Sequence, residues 1–562
     1  MDLNPNRKSK ALHLLAALYD QPTAERTLDR LWNLLSLPAL STETSAQRND
    51  CMLITYADSI QNDETAPLQA LAQFLEAQLP EVCGRVHLLP FYPSSSDDGF
   101  AVIDYRMVDH HVGGWADVEA LAQQYDLMFD LVINHCSREN LWFADFVSGQ
   151  EPGRNYFITL PEESDTSAVA RPRSTPLISP IHTYQGIRHV WNTFSNDQID
   201  LDFSNPDVLC EFVDILMFYV HRGARLVRLD AIGYLWKRLG SSCLNLPETH
   251  LVVKLLRVLL DEAAPRVKII TETNVPHDQN IAYFGEADEA HLVYQFSLPP
   301  LLLYSFVFGS SDYLQQWAMH LDPPPEGTTY LNFIASHDGI GLRPLEGLVP
   351  ETEVDRLVDQ MHQRGGFVTM RDAGVQGQRP YEINISLISA FGGADGLAAY
   401  LAAHALALSL QGSPAIYIHS LLGTENDLDL VEQAGRTRSI NRKKWYLPDL
   451  QQLLEDPHTL TARTLAAMSH LIRQRNLQPA LRPEASQRII PTAQHAFAIQ
   501  RNCATQTLLV VCNVTAAPIT IDTTALGLQP GHYEDRLAGL DCVLDARLGL
   551  AAHQVMWLEA KD

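Results

Sequence analysis

No two cysteines are spaced as CxxC. The eight that occur (Cys51, Cys83, Cys136, Cys210, Cys243, Cys503, Cys512 and Cys542) are scattered along 562 residues, which points away from a zinc site or a disulfide framework and towards reduced thiols. No glycine-rich GxGxxG turn follows an early strand, which argues against an open dinucleotide-binding sheet. No apolar run is long enough to span a bilayer, so no membrane partner is expected. Basic charge is in short supply: 41 Lys and Arg face 67 Asp and Glu, a net charge of -26. A phosphate backbone needs a basic face, so nucleic acid is excluded as a partner.

What is present is ordinary for a soluble globular protein: 46% apolar residues, 19% charged, mean hydropathy -0.09. The opening MDLNPNRKSKALHLLAALYD reads as an amphipathic helix of a mature cytoplasmic protein, because Asp20 interrupts the apolar run and no clean small-residue cleavage site follows.

Eight apolar, β-branched runs read as buried strands: 51–58, 85–93, 127–135, 224–230, 267–274, 291–297, 328–338 and 415–423. Helix-length amphipathic segments at 67–79, 115–125, 206–223 and 249–265 alternate with several of them. Alternation of this kind implies parallel strands with crossover helices, and eight repeats favour an α/β fold of the (β/α)8 TIM-barrel type. The expected organisation is a helical extension over 1–50, a catalytic barrel over 51–483 and an antiparallel β-domain over 484–562. Two insertions break the barrel, 139–203 after the third strand and 339–397 after the seventh. Insertions there overhang the active-site face.

In such a barrel, charged residues at the C-terminal strand ends meet in one pocket. The fourth strand ends in Arg228 and Asp230, the fifth in Glu272 and the seventh in His337 and Asp338. Two carboxyl groups flanking a glycosidic bond serve as nucleophile and acid/base in retaining glycoside chemistry, and a third can hold substrate hydroxyls. One buried carboxylate alone is as readily a helix cap or an arginine partner; three on three strand ends form a stronger pattern.

The segments DLVINH (130–135), RLVRLDAIGY (225–234), IITETN (269–274) and ASHDGIG (335–341) resemble the α-amylase superfamily. LLPFYPSSSDDGF (88–100), HDGIG and INRKK (440–444) bring the resemblance closer to its sucrose phosphorylase-like branch. The resemblance implies Asp230 as nucleophile, Glu272 as acid/base and Asp338 as transition-state stabiliser, with Arg228 orienting the nucleophile. It implies His135 and His337 as donors to glucosyl hydroxyls, Phe100 as a stacking ring, and Asp97 with Arg442 as the pair that closes the far end of the glucose site. The two insertions would be a lid domain and an acceptor-loop domain.

The same carboxylates serve hydrolases, transferases and phosphorylases. Arg188, in GIRHVW, and Tyr234 resemble the phosphate-contacting residues of the phosphorylase branch, so the expected reaction is transfer of a glucosyl unit from a small α-glucoside to phosphate, without metal or organic cofactor. HDGIGLRPLEGLVP (337–350) and QRPYEIN (378–384) look more like glucosylglycerol and glucosylglycerate phosphorylases than sucrose-dedicated enzymes. The acid-rich composition favours glucosylglycerol, with glucosylglycerate next, then sucrose or sucrose 6'-phosphate. A glycerate carboxylate would call on Arg343 or Arg371. A non-catalytic sugar-binding member of the superfamily is the rival class, and the retained carboxylates argue against it. Oligomeric state is expected to be monomer or homodimer.

Overall fold

The computed structural model describes residues 4–35, 49–173, 175–372 and 377–561. Eight parallel strands close on themselves: β1 Met52–Thr55, β2 Arg85–Leu88, β3 Asp126–Leu131, β4 Ala224–Leu229, β5 Lys268–Thr271, β6 Leu292–Tyr294, β7 Thr329–Asn332 and β8 Ser413–Tyr417. Closure is made by β8 against β1, with Met52 beside Ala415 and Ile54 beside Tyr417. Nearly every strand residue is buried, as expected for strands with side chains inside and helices outside.

Each expected strand is found, but each is shorter than its apolar run. After β7 the chain leaves the ladder at Asn332, and the segment up to Asp338 is irregular; after β8, Ile418–Leu421 forms a short helix. Apolar character persists past the last ladder bond because these segments still pack against the barrel rim, so hydropathy overstates strand length.

Crossover helices cover the outside: Pro67–Gln78, Trp115–Gln124, Pro206–His221 and Pro247–Ala263 among them. The helix after β3 starts where Asn205 caps the Asp207 amide and Pro206 occupies the first turn, where a missing N–H is harmless. Two further helices, Pro5–Leu18 and Gln21–Leu35, lie against the helices that follow β3 and β4. Ala24, Leu28, Leu31 and Leu35 line the buried stripe of the second. The Asn4 amide donates to Glu262 Oε1 at 2.7 Å, and the Tyr19 hydroxyl donates to the Phe203 carbonyl at 2.8 Å.

The segment after β3 holds a three-stranded antiparallel sheet of Thr159–Leu160, Ile178–Thr183 and Gly186–Trp191. The segment after β7 holds another, in which Ile340–Gly341 pairs with Gln378–Asn384, and that strand with Phe367–Asp372. The C-terminal region is a six-stranded antiparallel sheet beside a two-stranded ribbon, Ile519–Asp522 with Arg547–Leu550. Its strands at 531–535, 540–544 and 547–550 were not anticipated from the sequence, because runs of four or five residues, only partly buried, are too short to show a clear period.

Among the described residues, no helix is long and apolar enough to cross a membrane. All eight cysteines are free thiols.

Candidate active site

The ends of β4, β5 and β7 deliver Asp230, Glu272 and Asp338 to one cleft, together with Asp97, Phe100, His135, Arg228, Tyr234 and His337. Side chains alternate along a strand, so Arg228 and Asp230, two residues apart, face the same way. Asp130 on β3 is the register partner of Arg228. Arg228 is ion-paired with Asp130, lies 2.7 Å from Asp230 Oδ1, and approaches Glu272 Oε2 at 3.9 Å. His87 on β2 completes the row, its Nε2 2.6 Å from the other oxygen of Asp130.

Burial raises the carboxyls of both Asp230 and Glu272; the charges of Glu272, Asp130 and Asp338 push Asp230 further up and that of Asp338 does the same to Glu272, against the pull of Arg228. Arg228 touches Asp230 and stands off from Glu272, so negative charge is better placed on Asp230 and the proton on Glu272. That division suits a nucleophile and a general acid. The Ala231 amide, from a residue in the left-handed region at φ 49°, donates to Glu272 Oε2 at 2.9 Å.

Asp338 behaves in the opposite way. Burial would raise it, but the combined pull of the Arg438, Arg442 and Arg228 guanidiniums holds it far below the usual carboxylate range. Arg438 Nη1 lies 2.5 Å from Asp338 Oδ1. Burial also pushes His337 down to about 3, so its imidazole is neutral. It stacks on Phe100 with centroids 5.0 Å apart and ring planes 6° from parallel. His135 is buried and neutral as well: Asn134 donates to its Nδ1 at 3.2 Å, and its Nε2–H donates to the Phe100 carbonyl at 2.9 Å.

Three expectations need correction. Of the pair expected to close the far end of the glucose site, Asp97 lines the cleft and accepts from Gln198 Nε2 at 3.4 Å, whereas Arg442 is not among the lining residues and is ion-paired with Asp98. Asp97 and Asp98 both have positive φ, 56° and 48°, and this turn separates the two adjacent carboxylates. Arg188 does not line the cleft; it sits on the strand Gly186–Trp191, bonded to Gln185 Oε1 at 2.8 Å and Thr159 Oγ1 at 2.7 Å. Arg343 and Arg371 both turn to Glu346, at 3.7 and 2.8 Å.

Arg173 stands in the cleft where Arg188 was expected. Its guanidinium lies 5.7 Å from the Tyr381 ring centroid, and among the described residues no carboxylate is ion-paired with it. The proline-rich RPR of 171–173 was its only sequence signal. Arg438, Tyr381, Glu382 and Gln198 also line the cleft unannounced. Beneath it, buried Lys237 is 2.6 Å from Asp200 Oδ2 and donates to Asn134 Oδ1 at 2.6 Å, tying the segment after β4 to the strand Gln198–Asp200.

The alpha amylase catalytic-domain family matches residues 83–337. The glucosylglycerate phosphorylase of Allomeiothermus silvanus is 42% identical over 540 residues, covering 94% of this chain and 97% of that protein. The glucosylglycerol phosphorylase of Marinobacter adhaerens is 30% identical over 423 residues, covering 73% and 85%. The crystal structure of sucrose 6F-phosphate phosphorylase from Thermoanaerobacter thermosaccharolyticum superposes with a TM-score of 0.74 at 27% identity, over 84% of this chain and 96% of that one. This chain is therefore a member of the α-amylase superfamily and, within it, of the sucrose phosphorylase-like branch of glycosyl-transferring phosphorylases.

Proposed function

We propose that the protein is a retaining glucosylglycerate phosphorylase, converting glucosylglycerate and phosphate into α-glucose 1-phosphate and glycerate. Glycerate takes the place of glycerol as the preferred acceptor because the similarity to a glucosylglycerate phosphorylase is 42% over nearly the whole of both chains, against 30% over a shorter span for a glucosylglycerol phosphorylase.

Asp230 attacks the anomeric carbon while Glu272 gives its proton to the departing glycerate oxygen, leaving a glucosyl ester on Asp230. A phosphate oxygen then attacks the same carbon, Asp230 leaves as carboxylate, and any proton lost by the phosphate returns to Glu272. Two inversions give net retention. Asp338, held ionised, stabilises positive charge developing on the sugar ring. Neutral His337, with Asp97 and Phe100, holds the glucosyl unit, His135 supports the Phe100 backbone beside it, and Arg442 braces its rim through Asp98.

The observation that carries the reading is Arg173. Arg228, Arg438 and Arg442 each face carboxylates, whereas Arg173 has no ion pair among the described residues and looks into the cleft across Tyr381. A cation of this kind suits an anionic partner on the acceptor side. The reaction presents two anions there in succession, the glycerate carboxylate that leaves and the phosphate that arrives, with the Tyr234 phenol as a hydroxyl donor.

The test is a panel of glucosylglycerate, glucosylglycerol, sucrose and sucrose 6'-phosphate with phosphate, reading glucose 1-phosphate. Glucosylglycerate is expected to lead by kcat/KM. Faster turnover of another donor overturns the acceptor, and free glucose released at equal rates with and without phosphate overturns the phosphorylase.

A further inference from the structure

Asp338 is held by a residue that is itself held. Arg438, from the turn Thr437–Asn441 after β8, directs Nη1 to Asp338 Oδ1 at 2.5 Å. Its other edge is taken up by Glu382: Nε donates to Oε1 at 2.8 Å and Nη2 to Oε2 at 2.7 Å. Glu382 is 1% exposed and stands on the strand Gln378–Asn384, where its register partner is Gly341, three residues beyond Asp338. The same turn grips the backbone around the carboxylate, Asn441 donating to the Ser336 carbonyl and Arg442 to that of His337, both at 3.0 Å.

A guanidinium bound bidentately along one edge has little freedom to rotate, and its remaining nitrogen is fixed in direction. Released from Glu382, Arg438 would have competing acceptors nearby, since Glu272 and Asp97 also lie along this cleft. A buried carboxylate with no part in the chemistry calls for a reason to be there, because burying it is costly unless it is paired.

We infer that Glu382 is a positioning residue: through Arg438 it fixes the orientation of the Asp338 carboxylate and ties that orientation to the second inserted segment. The inference rests on the assignment of Asp338 to catalysis. An acceptor-side strand thereby bears on the glucosyl site without touching the sugar.

The test compares Glu382→Gln, Glu382→Asp, Arg438→Lys and Asp338→Asn in the full-length protein, following glucose 1-phosphate formation across pH. For Glu382→Gln the expected result is a fall in kcat of at least tenfold, with donor KM within threefold. The acid limb of its kcat profile should move to higher pH, as Asp338 loses a fixed cation. Glu382→Asp should recover part of the rate. Arg438→Lys keeps the charge but not the bidentate edge; it should show the same loss of kcat, and it serves as the decisive variant if Glu382→Gln does not fold. An inactive Asp338→Asn together with a folded Glu382→Gln or Arg438→Lys of wild-type kcat and unmoved acid limb overturns the inference. An active Asp338→Asn overturns the catalytic assignment beneath it.

Discussion

The Ala231 amide donates to Glu272 Oε2 at 2.9 Å, so the residue that follows the proposed nucleophile holds the proposed acid/base. The two reacting groups are thereby linked through three atoms of backbone, and the positive φ of Ala231 is the conformational cost of aiming its N–H across the cleft.

Removing the proton donor should separate the two chemical steps. Glu272→Gln is expected to lower the rate on glucosylglycerate by about 10²–10⁴-fold, and to retain far more activity on α-glucosyl fluoride, whose leaving group needs little protonation. Steady-state rates on both donors check this; equal losses on the two would remove Glu272 from the acid role.

The active-site carboxyls should make opposite contributions to stability. Glu272 is raised above its unfolded value of 4.5, so the folded state binds the proton more tightly and burial of the group costs stability at neutral pH. That cost disappears as pH falls towards 4.5. Asp338 is depressed below its unfolded 3.8; its contribution is present above that pH and is lost as pH falls through the folded value. Thermal melts at pH 7 should show Glu272→Gln higher than wild type by about 1–3 °C and Asp338→Asn lower, and the Glu272→Gln gain should shrink on acidification.

Arg173→Gln should raise KM for phosphate by at least tenfold, and for glycerate in the reverse direction by a similar factor, because both anions lose the same cation. Release of free glucose should rise as a fraction of turnover as water replaces phosphate. Arg188→Ala should change each constant by less than twofold. An Arg188 effect as large as that of Arg173 would restore the sequence-based choice of phosphate ligand.

Lys237→Met leaves Asp200 buried without its cation. Loss of one partner from a buried pair costs about 3–5 kcal/mol, and chemical denaturation should report a destabilisation of that order. Lys237→Met combined with Asp200→Asn should recover part of it.

The eight strands were legible because parallel barrel strands are buried on both faces and read as uninterrupted apolar runs. The three carboxylates were legible because barrel topology puts every strand end in the same place, so position along the chain translated into position in the site. The inserted segments gave no such translation. Nothing in ARPRS or QRPYEIN has a period that predicts direction, so Arg173, Tyr381 and Glu382 remained composition until the segments were folded. Asp97 and Asp98 were indistinguishable as neighbours until two left-handed residues turned one to the cleft and the other to Arg442.

The sequence by itself determined the barrel, the three acidic strand ends and the net charge of -26, because these follow from local periodicity, the order of the elements and a simple sum over residues. Only the tertiary structure decided which arginines are already paired. Arg228, Arg438 and Arg442 each find carboxylates from distant segments and Arg173 finds none among the described residues. A cation's availability to a substrate anion depends on what stands within a few ångströms of it, a relation between parts of the chain that no local pattern records.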